Sequence, residues 1–443
     1  MIAPARLAAY ETLHAVESGR ADLPHALARA RGGLKDERDR ALAGEIATGT
    51  LRWQGAFDPI IQQFSGRPFD RLDREVVIIL RLTIFQLLHL DRVPASAAVN
   101  DAVSMTRKAG KKSAAPLVNA VLRRVSRERN KLPLPTENAG LDYLSATLSH
   151  PRWLMARWAA RFGFDAAKAW ALFNNSPAPL TLRANRLKIS PDALVTALAR
   201  AGVDVRAGQY GPDALVVTQG NPLLTPLVHE GLFVVQDEAS QLVALMADAR
   251  PGQHILDACA SPGGKTTAMA ASMEGSGLVV ATDLRGKRVE LLATTVRASG
   301  ATNVRVVRAD ASAALPFREQ FDTVLLDVPC SGLGTVRRDP DLKWRRHEED
   351  LAGMAAGQLQ MLRVAASAVK PGGRLVYATC SSEEEENEAV VDAFIAESRF
   401  RLIQPSHLPP SVIPLLDSRG RLRTYPFRDN LEAFFAAVLE PPS

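Results

Sequence analysis

The sequence predicts a multidomain protein: an all-α N-terminal domain, a small α+β middle module and a C-terminal α/β domain built on a parallel sheet. Three observations carry this expectation. The chain has 443 residues, more than one ordinary core accommodates, so two or three domains are expected. Apolar positions recur at helical spacing through residues 1–130, with no alternating stretch among them. After Gln236 the texture changes to short β-branched runs separated by helical segments, the pattern of a parallel sheet covered on both faces. Apolar residues make up 47% and charged residues 23%, a globular balance that excludes extensive disorder.

In chain order, RLAAYETLHAV, RDRALAGEIATGTLRW, Val76 to Leu90 and PLVNAVLRRVSRE read as helices, with SGR, SGRPFD and DRVPAS as the turns between them. The most apolar stretch, Glu75 to Leu90, is interrupted by Arg81, Gln86 and His89, so it reads as a buried helix and no membrane span is expected. With Arg6 and Glu11 breaking any apolar core, no signal peptide is expected. Residues 131–140, KLPLPTENAG, carry two prolines and no periodicity and are expected to be a linker. Residues 141–235 mix helical stretches at Trp153 to Phe162 and Pro191 to Ala201 with strand-like runs at Thr181 to Asn185 and Ala214 to Thr218. In residues 236–443, HILDACA, GLVVATD, NVRVVRAD, FDTVLLDV and GRLVYATC are the expected strands. They end on Asp257, Asp283, Asp310, Asp327 and Cys380, with Cys330 just past Asp327, and the carboxyl ends of such strands are where ligands bind.

Three cysteines, none in a CxxC pair, argue for a reducing compartment, with the cytoplasm as the default. The net charge of +6 is clustered: Arg107 to Lys131 hold nine Lys or Arg against one acid, Glu128, and RRDPDLKWRR (Arg337 to Arg346) follows Cys330. Clustered positive charge suits a polyanion substrate. A solvated helix face accounts for the first cluster equally well. The second is tied to the chemistry by its position.

The Gly-rich segment DACASPGGKTT (Asp257 to Thr267) closes a strand and opens a helix, so its N–H groups can approach an anion or cofactor closely. A P-loop requires glycine where Cys259 stands, and G-x-G-x-x-G is absent, so neither an NTPase nor a dinucleotide site fits. What remains is an acid at each of three successive strand ends. Asp283 suits a ribose hydroxyl pair and Asp310 an exocyclic amine of adenine. A cofactor with ribose and adenine but no pyrophosphate is expected, S-adenosylmethionine. The competing view, that these aspartates only cap helices, is weaker for three together.

The thiols Cys330 and Cys380 suit methylation of cytosine at carbon 5. That carbon is a poor nucleophile until a thiolate adds at carbon 6. Asp327 could neutralise charge at the ring nitrogen, and a second thiol or a base must help product release. Free cysteines more often end as small buried hydrophobes, which is the reading for Cys259. No histidine has metal-ligand spacing, so no metal is expected. Glu383 to Glu386 reads as a helix-capping acidic run, with a supporting role around Cys380 open.

VQDEASQLVAL, DACASPGGKTT, DVPCSGLGTVRRDPDLKW and YATCSSEEEENE together resemble the Nop/Sun family of RNA cytosine-5 methyltransferases, over essentially the whole chain. DRVPASAAVNDAV followed by LVNAVLRRV is similar to the NusB-like domain of its bacterial RsmB (Sun/Fmu) branch, which acts on small-subunit (16S) rRNA. The resemblance implies a Rossmann-like methyltransferase domain at 236–443, the family's small extension at 141–235, and a NusB-like RNA-binding domain at 1–130. It implies Cys380 as nucleophile and Cys330 as the thiol assisting release. Cofactor contacts are implied from Cys259, Ala260, Ser261, Pro262, Gly263, Gly264, Lys265, Asp283, Arg288, Asp310 and Asp327, the last touching the base as well. The partner expected is RNA, most of all 16S rRNA, bound by the helical domain and the Arg337 to Arg346 loop, with the protein a monomer. The same chemistry on tRNA, or a NusB-like binding protein with a vestigial catalytic domain, are the rivals. The chain departs from the family pattern at Ser261 (usually Ala), in the basic LRGKR after Asp283, and at EAFF (Glu432 to Phe435) where Asp-Gly-Phe-Phe is usual.

Overall fold

A computed structural model of the chain describes residues 2–317 and 320–442. The chain groups into two units, the first running to Pro177 and taking in Val336–Glu348, the second comprising Ala178–Thr335 and the rest. The helices of residues 150–177, expected with the middle module, thus group with the first unit.

The first unit is helical, as the 3.6-residue periodicity predicts. Six helices lead it: α1 (Pro4–Glu17), α2 (Leu23–Gly32), α3 (Glu37–Ser65), α4 (Arg74–His89), α5 (Ala95–Lys108) and α6 (Ala115–Arg127). Asp22 and Asp36 cap α2 and α3, each accepting a backbone N–H of the first turn, and Gly66 ends α3 in the left-handed region at φ 64°. Leu13, Ile46, Ile60, Ile78, Ile79 and Leu122 are fully buried in one core. The arginine that interrupts the apolar run of α4 is buried too. Arg81 donates to both Asp58 carboxylate oxygens and to Glu17, all at 2.7 Å. Two more helices, α7 (Arg152–Phe162) and α8 (Phe164–Asn175), stack Trp158 on Trp170 at 4.1 Å between ring centroids.

The second unit holds two sheets. In the smaller, β2 (Asp204–Ala207), β3 (Ala214–Gln219), β1 (Thr181–Ala184) and β4 (Phe233–Val235) lie in that order, all antiparallel. Leu182, Leu194, Leu198 and Leu215 form its core with the helix Pro191–Arg200. The larger sheet has the order β10-β12-β9-β8-β5-β6-β7, with β11 paired to β12. Its five parallel strands, β5 (His254–Asp257), β6 (Leu278–Asp283), β7 (Val304–Arg308), β8 (Phe321–Asp327) and β9 (Val369–Thr379), are those expected from the sequence. Three C-terminal strands, β10 (Arg401–Leu402), β11 (Leu422–Arg423) and β12 (Phe435–Glu440), add an antiparallel edge. The strand order reverses between β5 and β8, so a cleft is expected where Asp257 and Asp327 end them. Among the described residues, no helix is long and apolar enough to cross a membrane.

Candidate active site

The Gly-rich segment forms the turn between β5 and the helix Gly264–Ser272. Gly263 sits at φ +105°, where a Cβ would meet Leu292 Cδ1 at 2.9 Å, so this position needs glycine. The Ala260 N–H donates to Thr282 O at 2.8 Å and the Gly263 N–H to Ala260 O at 2.7 Å, which fixes the turn. The small sheet braces it from behind. Arg183 of β1, buried, donates to Gly264 O and to Thr267 Oγ1, both at 2.8 Å. Burial lowers that guanidinium to about 10, against the opposing pull of the Asp213 charge.

Two clefts open on this turn at the expected sheet edge. One, of about 370 Å³, is bounded by Cys259, Ser261, Asp283, Arg288 and Asp310, and reaches Asp327, Cys330 and Cys380. The other, of about 290 Å³, has Asp257, Ala260, Pro262, Gly264 and Lys265 in its wall and shares Cys259, Ser261 and Asp327 with the first. The residues expected at the site are therefore brought together, with Gly263 just behind the lining as the turn's hinge.

Asp283 is buried. Its Oδ1 accepts the Arg285 N–H at 3.1 Å and its Oδ2 lies 3.3 Å from Arg288 Nε. Arg288 also donates to Ser261 O at 2.8 Å, so the basic LRGKR variation ties the second strand end to the Gly-rich turn. Asp310 turns its Oδ1 to the Ser312 N–H and hydroxyl, which hold its carboxyl below the usual range. Asp257 is fully buried; its Oδ2 accepts from Thr266 Oγ1 at 2.7 Å and its Oδ1 has no hydrogen-bond partner. Burial pushes its carboxyl up to about 7, against the Thr266 bond and with the help of the Asp327 charge. An orphaned carboxylate oxygen beside a glycine turn, with acids ending the next strands, fits a small cofactor with donor groups on a ribose and an amine. Burial pushes the Cys259 thiol far up, as expected of a packing residue.

Cys330 Sγ and Cys380 Sγ are 3.2 Å apart, one thiol past β8 and the other at the end of β9. The hydrogen bond to Cys380 and then burial hold the Cys330 thiol well above its ordinary value. Asp327 Oδ2 accepts from Lys265 Nζ at 2.7 Å, and that ammonium lies 5.7 Å from the Phe434 ring centroid. Burial opposes the Lys265 charge, but Asp327 outweighs it and the ammonium is held above its usual value. Gly334 N–H donates to Cys380 O at 2.9 Å and Gly334 O accepts from Ala433 N at 3.0 Å. The divergent EAFF segment thereby backs the Cys330 loop and brings Phe434 to Lys265.

Residues 3–127 match the NusB family and residues 150–223 the ferredoxin-like domain of the RsmF/B methyltransferases. Residues 244–440 match the family described as 16S rRNA methyltransferase RsmB/F. Ribosomal RNA small subunit methyltransferase B of Pseudomonas putida is 38% identical over 399 residues, 89% of each chain. The chain belongs to the RsmB/F family of 16S rRNA methyltransferases. It is accordingly an S-adenosylmethionine-dependent rRNA methyltransferase. A second RsmB relative, the probable methyltransferase B of Bacillus subtilis, is 35% identical over 407 residues, 90% of each chain. The crystal structure of PH0851 superposes with a TM-score of 0.82 at 27% identity, covering 99% of both chains. NSun6 from Pyrococcus horikoshii shares the fold, with a TM-score of 0.59 at 22% identity over 66% of this chain and 98% of that one.

Two expectations from the sequence are corrected within this RsmB/F chain. Position and charge predict a basic RNA-facing loop at Arg337 to Arg346, but the segment is largely packed into the first unit. Lys343 is fully buried and donates to Ser149 O and to Arg52 O, the latter at 3.0 Å. Trp344 Nε1 donates to Leu51 O at 2.6 Å, and Arg337 donates to Pro177 O at 2.7 Å. Burial holds the Lys343 amine well below its usual value. The segment folds as the short helix Leu342–Arg345, which no local pattern marks as buried. The acidic run is expected to cap a helix, yet the helix starts at Glu388 with Asn387 as its N-cap. Glu386 is instead buried against both cysteine loops. Gln358, Tyr377, Asn387 and Gly334 also touch this machinery and escape sequence reasoning, since nothing in their local sequence sets them apart.

Proposed function

We propose that this enzyme methylates carbon 5 of a cytosine in 16S rRNA through a covalent adduct of Cys380 at carbon 6 of the base. The observation that carries the reading is the pair of thiols 3.2 Å apart in a cleft shared with Asp327. An amine-methylating site has no use for two thiols, and cytosine carbon 5 has no reactivity without one. Membership of a 16S rRNA methyltransferase family supports the substrate.

Bound S-adenosylmethionine supplies an electrophilic methyl group, with Asp283 and Asp310 suited to its ribose and adenine and the 257–265 turn to the remainder. The protein's own groups do the rest. Cys330 Sγ lies 3.2 Å from Cys380 Sγ, its thiol held well above its ordinary value, and the reading takes Cys380 as the attacker, as the family resemblance implies. The Cys380 sulfur bonds to carbon 6, and the displaced ring electrons make carbon 5 nucleophilic. Asp327 in its acid form would hand a proton to the ring nitrogen where negative charge develops, and the Lys265 ammonium beside it would offset the carboxylate left behind. After carbon 5 takes the methyl group, water takes the carbon 5 proton, the C–H electrons re-form the 5,6 double bond, and the carbon–sulfur bond breaks to return Cys380 as a thiolate. Cys330, adjacent to Cys380, assists this elimination by donating its S–H to the departing sulfur. The base reaches the cleft by leaving its stack. The reading places the enzyme in the cytoplasm, where its three free cysteines stay reduced, and takes it as a monomer, which sedimentation would check.

Bisulfite mapping of rRNA and tRNA from cells lacking the protein tests the substrate: one 16S cytosine should lose its mark. A loss in tRNA alone would transfer the reading there. Cys380→Ala should abolish methyl transfer and leave RNA binding intact, whereas Cys330→Ala should accumulate a denaturation-resistant enzyme–RNA adduct. The reverse pattern exchanges the two roles.

A further inference from the structure

Glu386 is fully buried, and among the described residues it has no ion-pair partner. Burying a carboxylate is expensive unless donors surround it, and here three do. Its Oε1 accepts from the Ser331 N–H and from Gln358 Nε2, both at 2.8 Å, and its Oε2 accepts from the Ser381 hydroxyl. Ser331 follows Cys330 and Ser381 follows Cys380. One carboxylate therefore holds the residue next to each thiol.

The same group is reinforced on both sides. Gln358 Nε2 also donates to Pro329 O at 3.1 Å, so the peptide units before and after Cys330 are fixed by one amide–carboxylate pair. Ser331 Oγ and Ser381 Oγ lie 3.1 Å apart, a second link between the loops. The fully buried Tyr377 donates its hydroxyl to Glu386 O at 2.5 Å, which fixes the clamp's own backbone. Thr379 donates to Asn387 Oδ1, and Asn387 Nδ2 donates to Ser381 O at 3.0 Å, which holds the Cys380 turn. None of the Glu386 carboxylate bonds serves the first turn of the following helix.

We propose that Glu386 is a positioning residue whose carboxylate clamps the Cys330 loop to the Cys380 loop and so keeps the two thiols in contact. Without it, Ser331 N–H, Ser381 hydroxyl and the Gln358 amide lose a common acceptor and the loops lose their shared register. The consequence for methyl transfer rests on the two-thiol mechanism above; the clamp itself is a property of the resting protein.

The test uses dibromobimane, which becomes fluorescent once it bridges two neighbouring thiols, on the full chain without RNA, with the Cys330–Cys380 bridge verified by mass spectrometry. Wild type should bridge rapidly. Glu386→Ala should slow bridging about tenfold and lower kcat similarly while leaving the KM for S-adenosylmethionine within about twofold, because loss of a held geometry falls on the reacting groups. Glu386→Gln should stay within about threefold of wild type, since its amide oxygen keeps two bonds and its nitrogen can donate to Ser381. Bridging at the wild-type rate in Glu386→Ala, whatever its Tm, would overturn the proposal, as would Gln failing as badly as Ala. If Glu386→Ala does not fold, Ser381→Ala removes one hydroxyl only and should slow bridging about threefold; an unchanged rate there also defeats the clamp. Failure of the covalent mechanism would show separately, as intact bridging with no enzyme–RNA adduct.

Discussion

Asp257 shows how one buried group links the site to stability. Its carboxyl titrates near 7 in the folded protein against an ordinary 3.8, because burial disfavours the charge. The folded state therefore binds a proton that the unfolded state has already released across that window. Stability from this group is fully present below about pH 4 and is lost as pH rises through about 7. Asp257→Asn, which stays neutral, should narrow the difference in Tm between acidic and mildly alkaline buffer; parallel losses in variant and wild type would rule this out. Lys343 poses the mirror case, a buried amine held by two carbonyl oxygens with burial lowering its pKa. Lys343→Met removes a donor from two buried carbonyls and should cost about 1–3 kcal/mol in urea unfolding.

Among the elements, the turn after β8 is set by how closely a backbone can pass. A Cβ on Gly334 would lie 1.9 Å from Ala433 O and 2.7 Å from Cys380 O, so the segment before β12, the Cys380 turn and the Cys330 loop meet where no side chain fits. Gly334→Ala must push these backbones apart, and a destabilisation of about 1–3 kcal/mol with loss of methyl transfer is expected from overpacking alone. Urea unfolding beside an activity assay separates the two effects. The C-terminal strands thus act on the chemistry without contributing a reacting group. They supply the wall against which the cysteine loop is pressed.

Across the molecule as a whole, the distribution of charge matters more than any single pairing. The expected basic cluster at Arg337 to Arg346 is spent mostly on packing, whereas the cluster on α5 and α6 remains at the surface. Arg107, Lys108, Lys112, Arg123 and Arg127 are exposed, while Lys111 pairs with Asp73 and Arg124 with Glu128. Those exposed groups are suited to the phosphates of an RNA substrate. Replacing Arg107, Lys108 and Lys112 by Gln should weaken RNA binding at low salt and flatten log K against log salt by about 0.7–0.9 for each phosphate no longer neutralised. An unchanged slope would mean that the RNA is held elsewhere. The same substitutions should leave the thiol-bridging rate unaltered.

The helical first unit, the five parallel strands, the Gly-rich turn and the two thiols are legible in the amino-acid order alone, because each is written locally. Helical and β periodicities are properties of neighbouring residues, and a strand ending in an acid or a thiol can be seen without knowing what lies beside it. Family motifs then bring the cofactor and the division of labour between the thiols within reach. Which charged residues lie at the surface is a matter of tertiary packing. Lys343 reads as part of an RNA-binding loop and Glu386 as part of a helix cap, and both are buried, since the energy that hides a charge comes from donors and acceptors supplied by distant segments. Ser331 and Ser381 are 50 residues apart, and Gln358 lies on a helix between them; no local pattern foretells that one carboxylate gathers all three.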